Sequence, residues 1–145
     1  FLTGVILLHQ VTAKLSTEII LGSTMGTLMM LNVWGIIWRN QKIVLGMKEG
    51  DAAVAGAKAG LASRTNTLFS VPMLMYMVYS AHGPGAYLVV DGWTTSSLFL
   101  GLAIIFAIEA NAIWGKMLPV ITSVRAVIIS SFVLAVVLKL ITDLL

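Results

Sequence analysis

A chain of 145 residues with 59% hydrophobic and only 10% charged residues does not fit an ordinary soluble domain, in which about 25% of residues are charged. The net charge of +3 does not indicate nucleic-acid binding, because the basic residues stand at the ends of apolar runs and form no patch. The absence of cysteine excludes disulfides, thiolate metal sites and a covalently attached c-type haem.

Four apolar runs predict membrane-spanning helices, since a hydrocarbon core about 30 Å thick is crossed by roughly 20 helical residues. In chain order they cover residues 19–38, 68–81 with an extension toward Arg64, 97–114 and 120–141. The apolar run 1–11 is too short to span, so we expect it to be the end of a helix whose start is missing, or alternatively an interfacial segment. The prediction is an all-α, polytopic transmembrane bundle of four full spans plus a partial N-terminal helix, forming one domain over residues 1–145.

The loops between these runs predict an orientation. Lysine and arginine are frequent in the 39–64 loop and recur in the 115–125 loop, whereas the 82–95 loop has neither. Because positive residues are enriched on the cytoplasmic side, we expect the first two loops to be cytoplasmic and the third to be outside. Lys139 runs against this trend. The small residues 50–60 are interpreted as a short helix within the first loop, and the localisation as a bacterial cytoplasmic membrane.

Two tryptophans mark where the first run leaves the bilayer. Trp34 and Trp38 are four residues apart, so a helix presents them on one face, and Arg39 and Lys42 follow. Aromatic rings favour the membrane interface and basic side chains reach the headgroups. This pattern indicates a cytoplasmic interface.

Glu109 is the least expected residue, because it lies within the apolar run 97–114. A charged side chain at that depth costs several kcal/mol, so it must be paired, protonated or turned to a polar cavity. Asn32 and Asn111 are candidates to share that interior. A hydrogen bond or ion pair to Arg64 or Arg125 is the favoured interpretation; a proton relay and a substrate contact are the alternatives.

His9 and His82 both fall toward the outer side in this topology, where two helices could offer them as axial ligands of a b-type haem. The competing interpretation is that each histidine bonds to backbone or water at the interface. The cofactor is not identified by the sequence, and haem is a candidate. No phosphate-binding loop, zinc motif or nucleophile elbow is present, so a self-contained hydrolase and a metal site are not predicted.

Small and flexible residues predict helix packing. Gly22 and Gly26 are separated by three residues and give one helix a small face, which predicts close approach of a partner helix. The alternating Met73, Met75 and Met77 point around a helix and are interpreted as flexible filler, with thioether ligation as the alternative.

Two stretches, GTLMMLNVWGIIWRNQK (26–42) and ASRTNTLFSVPMLMYMVYSAH (62–82), resemble the membrane domain of the urate oxidase N-terminal family, which belongs to bacterial cytochrome-c-linked urate hydroxylases. The resemblance covers about residues 1–85, and the last two helices match by hydropathy alone. The positions that match the recurrent pattern are Asn32, Trp34, Arg39, Asn40, Gln41, Lys42, Arg64, Asn66, Pro72 and His82.

The resemblance implies a multi-helix membrane module followed by a c-type cytochrome that accepts electrons. No Cys-x-x-Cys-His sequence follows here, so a participating cytochrome would be a separate chain. Arg64, Thr65, Asn66 and Thr67 form a polar opening to an apolar helix and are the pocket candidates. Together with Glu109, Arg64 and Asn66 are the candidate catalytic residues.

These observations leave several functions open. The first, which we favour, is an integral-membrane subunit of a larger redox or electron-transfer complex with a structural or cofactor-supporting role; other membrane subunits and a cytochrome are its candidate partners. The second is a urate hydroxylase-like oxidoreductase that passes electrons to a cytochrome c. The third is a transporter-like or channel-like protein, which Glu109 supports slightly.

Overall fold

The computed structural model describes residues 16–82 and 96–144, together with Gly4 and Ile6. Within those ranges every regular element is helical, which confirms the all-α class. The α-helices are α1 (Thr17–Asn32), α2 (Trp38–Val44), α3 (Ala52–His82), α4 (Ser96–Trp114) and α5 (Val124–Leu144). A π-helical turn, Val33–Ile37, joins α1 to α2, and a 3-10 turn, Pro119–Ile121, precedes α5.

Local polar side chains set where the first helices begin and end. Ser16 caps α1, because its hydroxyl accepts the backbone N–H of Ile19 at 3.4 Å, and such caps satisfy donors that have no intrahelical partner. Asp51 does the same for α3. Gly46 ends α2 with a φ of 71°, a left-handed conformation that favours glycine.

The alanine-rich segment 52–62 forms the first turns of α3, so the expectation of a separate short helix in a loop is wrong. Alanine has the highest helix propensity, and the segment also packs against α2. Ala55, Ala59 and Ala62 are buried along one side of it. As a result, α3 is a continuous helix of 31 residues.

α1 and α3 run antiparallel and form the most extensive contact in the bundle. Near the start of α1, Gly22 lies against Tyr76. Near its end, Asn32 is hydrogen-bonded to Asn66. Positions later in α1 therefore meet positions earlier in α3.

The remaining helices complete an up-down-up-down arrangement. α4 runs parallel to α1, because Gly101 lies against Leu21 and Glu109 against Asn32. α5 runs parallel to α3, since Ser131 bonds to Leu68 and Lys139 lies over the ring of Tyr79. α3 packs against every other α-helix described here, so it is the central helix of the bundle.

Three helical stretches are long and apolar enough to cross a membrane: Thr17–Val44, Ser96–Trp114 and Val124–Leu144. α3 is not in this group, although the sequence predicts four spans. α3 contains polar or weakly apolar residues such as Thr65, Pro72 and Tyr76, which are buried against other helices.

The outer surface of α5 is apolar. Four large apolar side chains on it are more than half exposed: Phe132 at 58%, Val133 at 56%, Val136 at 57% and Leu140 at 52%. A contiguous apolar surface of this kind is unfavourable in water and is suited to contact with lipid.

Candidate functional site

Three polar side chains from three helices meet inside the bundle. The Asn32 side chain of α1 donates through Nδ2 to Asn66 Oδ1 on α3 at 3.0 Å and to Glu109 Oε2 on α4 at 3.1 Å. Asn32 is 1% exposed and Glu109 is 6% exposed. We call Asn32, Asn66 and Glu109 the polar cluster. The sequence singled out all three residues, and the structure brings them together.

Asn66 also ties the cluster to the backbone of α1. Its Nδ2 donates to the carbonyl oxygen of Met29 at 3.0 Å. Both hydrogen-bonding ends of this amide are therefore engaged, one with a side chain and one with the main chain. The arrangement fixes the distance between α1 and α3 at the level of the cluster.

A π-helical turn begins directly after Asn32. The backbone N–H of Trp38 donates to the carbonyl of Val33, five residues earlier, where a regular α-helix would use a residue four earlier. Single π turns of this type occur frequently at functional sites. Hydropathy alone contains no signal for such a turn, and the sequence did not predict it.

Glu109 has an amide as its partner, so the expectation of an arginine partner is wrong. Within 16–82 and 96–144 the single ion pair joins Lys139 to Asp143. Arg125 is exposed and Arg64 is half-buried, and neither is bonded to Glu109. The carboxyl is consequently in contact with a neutral donor rather than a compensating positive charge.

Asn111 does not belong to the polar cluster, contrary to expectation. Its side chain bonds to the backbone of Lys116, donating to the carbonyl at 3.3 Å and accepting the N–H at 3.4 Å. A side chain at Gly115 would collide with Asn111 in this position. Asn111 therefore closes the end of α4.

Among the hydrogen bonds between described residues, Asn66 is the one of the four pocket candidates at residues 64–67 that reaches another helix. Thr65 donates to the carbonyl of Leu61, and Thr67 donates to the carbonyl of Ser63, each at 3.1 Å and each within α3. Arg64 lies two residues before Asn66 and is half-buried. Thr65 and Thr67 therefore bond within α3, whereas Asn66 bonds to α1.

An open groove of about 660 Å³ lies between α3, α4 and α5 beside the cluster. It is mostly apolar. Its polar side chains include Thr65, Asn111 and Ser130, and each of them donates to a backbone carbonyl of this chain. Its walls otherwise consist of Leu68, Ala107, Ile108, Leu118, Val120, Ile121, Val133, Leu134 and Val137.

Of the two histidines, His82 alone lies within the described residues. His82 is the exposed last residue of α3, and His9 lies outside the described residues. His82 alone offers no enclosed apolar pocket of the kind that holds haem, so the haem assignment stays a prediction. In the part of the chain that the structure describes, no group of three His, Cys, Asp or Glu could hold a metal ion.

The small face of α1 contacts α3 through Gly22 and not through Gly26. A Cβ at Gly22 would lie 3.3 Å from the Cβ of Tyr76 and 3.2 Å from the sulfur of Met77. A Cβ at Gly26 would meet nothing within 4 Å. The predicted close approach is confirmed for one glycine only. Met73 and Met75 pack against the core, as expected of filler.

The two ends of the bundle differ in charge. At one end the rings of Trp34 and Trp38 are 6.5 Å apart, and Lys42 lies 5.1 Å from the centre of the Trp38 ring. At the other end Lys139 pairs with Asp143 and lies 3.9 Å from the centre of the Tyr79 ring. Lys139, which ran against the trend in loop charge, is therefore neutralised by Asp143 of the same helix.

Comparison with known proteins gives one result. No curated protein and no solved structure matches the chain. A family model described as urate oxidase N-terminal matches residues 2–139, a range that extends through α4 and most of α5 and so beyond the stretches that carry the resemblance. The chain belongs to the urate oxidase N-terminal family.

Proposed function

We propose that the chain is an integral-membrane subunit of a redox complex that oxidises urate or a related purine and passes the electrons to a cytochrome c on another chain. The observation that carries this proposal is the family match over residues 2–139. The three apolar helical stretches support a membrane location.

In this proposal α3 is a fourth span, and the protein lies in a bacterial cytoplasmic membrane. The alternating directions of the helices support this topology, since α3 runs antiparallel to α1. The Trp34–Trp38–Lys42 group supports a cytoplasmic assignment for the end where α1 leaves the bilayer. The 39–64 and 115–125 loops are then cytoplasmic and the 82–95 loop is outside.

The chemistry of the reaction sets what such a complex must provide. When water supplies the hydroxyl group that is added to urate, a carbon–oxygen bond forms and two electrons and two protons leave. The cytochrome takes the electrons one at a time. The protons need an acceptor near the site, and the substrate needs hydrogen-bonding partners away from bulk water.

A second candidate is that this chain itself carries the catalytic site. The specific observation in its favour is the polar cluster, which places a carboxyl and two amides in a largely apolar interior. Urate has both N–H donors and carbonyl acceptors around its rings. Amide and carboxyl groups complement both, so the cluster is the best-supported site for such a substrate.

Copurification from native membranes tests the proposal. We expect the tagged chain to be isolated in mild detergent with a haem-containing partner, and the complex to reduce cytochrome c when urate is added. Membranes from cells that lack the chain are the control. Isolation without any redox partner and without urate-dependent reduction would contradict the proposal, whereas reduction by the isolated chain would favour the catalytic candidate.

A further inference from the structure

Glu109 is the one buried carboxyl in the described part of the bundle. The groups that face it are neutral: Asn32 from α1 is bonded to it directly, and Asn66 from α3 is bonded to Asn32. No described ion pair involves it. Its environment therefore contains hydrogen-bonding groups without a fixed positive charge.

The two carboxyl oxygens of Glu109 differ. Among the residues described, Oε2 accepts the Nδ2–H of Asn32 and Oε1 accepts no hydrogen bond. The amide bond favours the ionised form, because hydrogen bonds to a charged group are stronger than those to a neutral one. A carboxyl that is buried without a positively charged partner is costly as an anion, and it is stabilised when it takes up a proton. Oε1, the oxygen not bonded to Asn32, is the one that receives this proton.

We propose that Glu109 is the proton acceptor of the redox reaction, an inference that rests on the second candidate of the proposed function, in which this chain carries the catalytic site. As the new carbon–oxygen bond forms on urate, Oε1 takes one of the two released protons, the second proton passes to solvent, and the two electrons pass to the cytochrome. Asn32 is the positioning residue, because its bond to Oε2 holds the carboxyl with Oε1 free. A proton bound at Oε1 neutralises the cluster until it is released.

A carbodiimide experiment tests the proton-binding property without urate. Dicyclohexylcarbodiimide partitions into membranes and reacts with a carboxyl in its protonated form. In the native complex we expect mass spectrometry to find the adduct on Glu109, and the adduct to be lost in Glu109→Gln. Glu49→Gln, a change in an exposed loop, is the matched control and leaves the labelling intact. An unlabelled Glu109 in the wild-type complex would overturn the inference.

Urate turnover separates this inference from the proposed function. We expect Glu109→Gln to lower kcat at least about 100-fold, the lower end of the effect of losing an acid–base group, with copurification unchanged. Glu49→Gln keeps the wild-type rate. Equal turnover by wild type and Glu109→Gln overturns the inference alone, whereas a wild-type complex without urate oxidation overturns the proposed function and the inference with it.

A second variant covers the case in which Glu109→Gln fails to assemble. Glu109→Asp keeps an acid and shortens the side chain by one methylene group. We expect it to be labelled by the carbodiimide and to turn over urate at a rate between those of wild type and an inactive complex. Loss of labelling together with full turnover in this variant would contradict the role of the carboxyl.

Discussion

Ser131 of α5 supplies the hydrogen bond that Pro72 removes from α3. Proline has no N–H, so the carbonyl of Leu68, four residues earlier, loses its donor within the helix. The Ser131 hydroxyl donates to that carbonyl at 2.8 Å and accepts the N–H of Val71 at 3.3 Å. In a membrane such a freed backbone group must find a partner on a neighbouring helix. The proline therefore ties α3 to α5.

Removing this hydroxyl is expected to destabilise the bundle in a way that depends on Pro72. Ser131→Ala leaves the Leu68 carbonyl without a donor and should lower the free energy of unfolding in detergent micelles by about 1 kcal/mol. In a Pro72→Ala background the helix regains its own N–H at that position, so the same change should cost less. Equal costs in both backgrounds would show that Ser131 does not compensate for the proline.

Asn32 is expected to matter far more than another asparagine on the same helical stretch. Asn32→Ala removes the donor that joins Asn66 and Glu109, leaves both without their partner, and should cost about 1–3 kcal/mol. Asn40→Ala is the control, because the bond that Asn40 forms within the described residues goes to the carbonyl of Ile36 on its own stretch. Unfolding in micelles measures both, and similar losses for the two variants would argue against a linking role for Asn32.

The two glycines of the small face should respond differently to a large side chain. Gly22→Leu places its side chain against Tyr76, which is fully buried, and such overpacking typically costs about 1–3 kcal/mol. Gly26→Leu has open space at the same distance and should leave stability nearly unchanged. Thermal unfolding of the detergent-solubilised chain distinguishes them, and equal destabilisation would point to a partner helix over Gly26.

Cysteine labelling can test whether α3 crosses the membrane, because the chain has no cysteine of its own. Lys48→Cys and Ser96→Cys flank α3, so a membrane-impermeant maleimide should label Ser96→Cys in intact spheroplasts and Lys48→Cys in inverted vesicles. Lys116→Cys is the control and should behave like Lys48→Cys. Labelling of positions 48 and 96 from the same side would exclude a fourth span.

The helical class and the polar cluster could be predicted from the sequence, because polar residues are costly in lipid and are conspicuous in apolar runs. Glu109 and Asn32 stand out in apolar runs, where an unpaired polar group is costly, and this cost predicted that they would be partnered. The choice of partner was not accessible. Arg64 and Asn66 are two residues apart on the same helix, and only the rotation of α3 decides which of them faces α1.

Other features depended on long-range geometry. Pro72 signals that a carbonyl in its helix lacks a donor, but nothing in the chain marks Ser131, about sixty residues later, as the residue that supplies it. Asn111 and Asn32 look equivalent as polar residues in apolar runs. Asn111 is close enough to the end of α4 for its side chain to reach Lys116, so it forms this local bond instead of joining the polar cluster.

The π turn sets the angle about the helix axis between Asn32, which faces the bundle interior, and the interfacial residues that follow the turn. One additional residue in a turn rotates everything after it by about 100° around the helix axis. Trp38 and Lys42 come after the turn and Asn32 comes before it. In a chain that lacked Gly35 and returned to regular helix, Trp38 and Lys42 would therefore be rotated by roughly a quarter of a turn about the helix axis. Asn32 would still face Glu109.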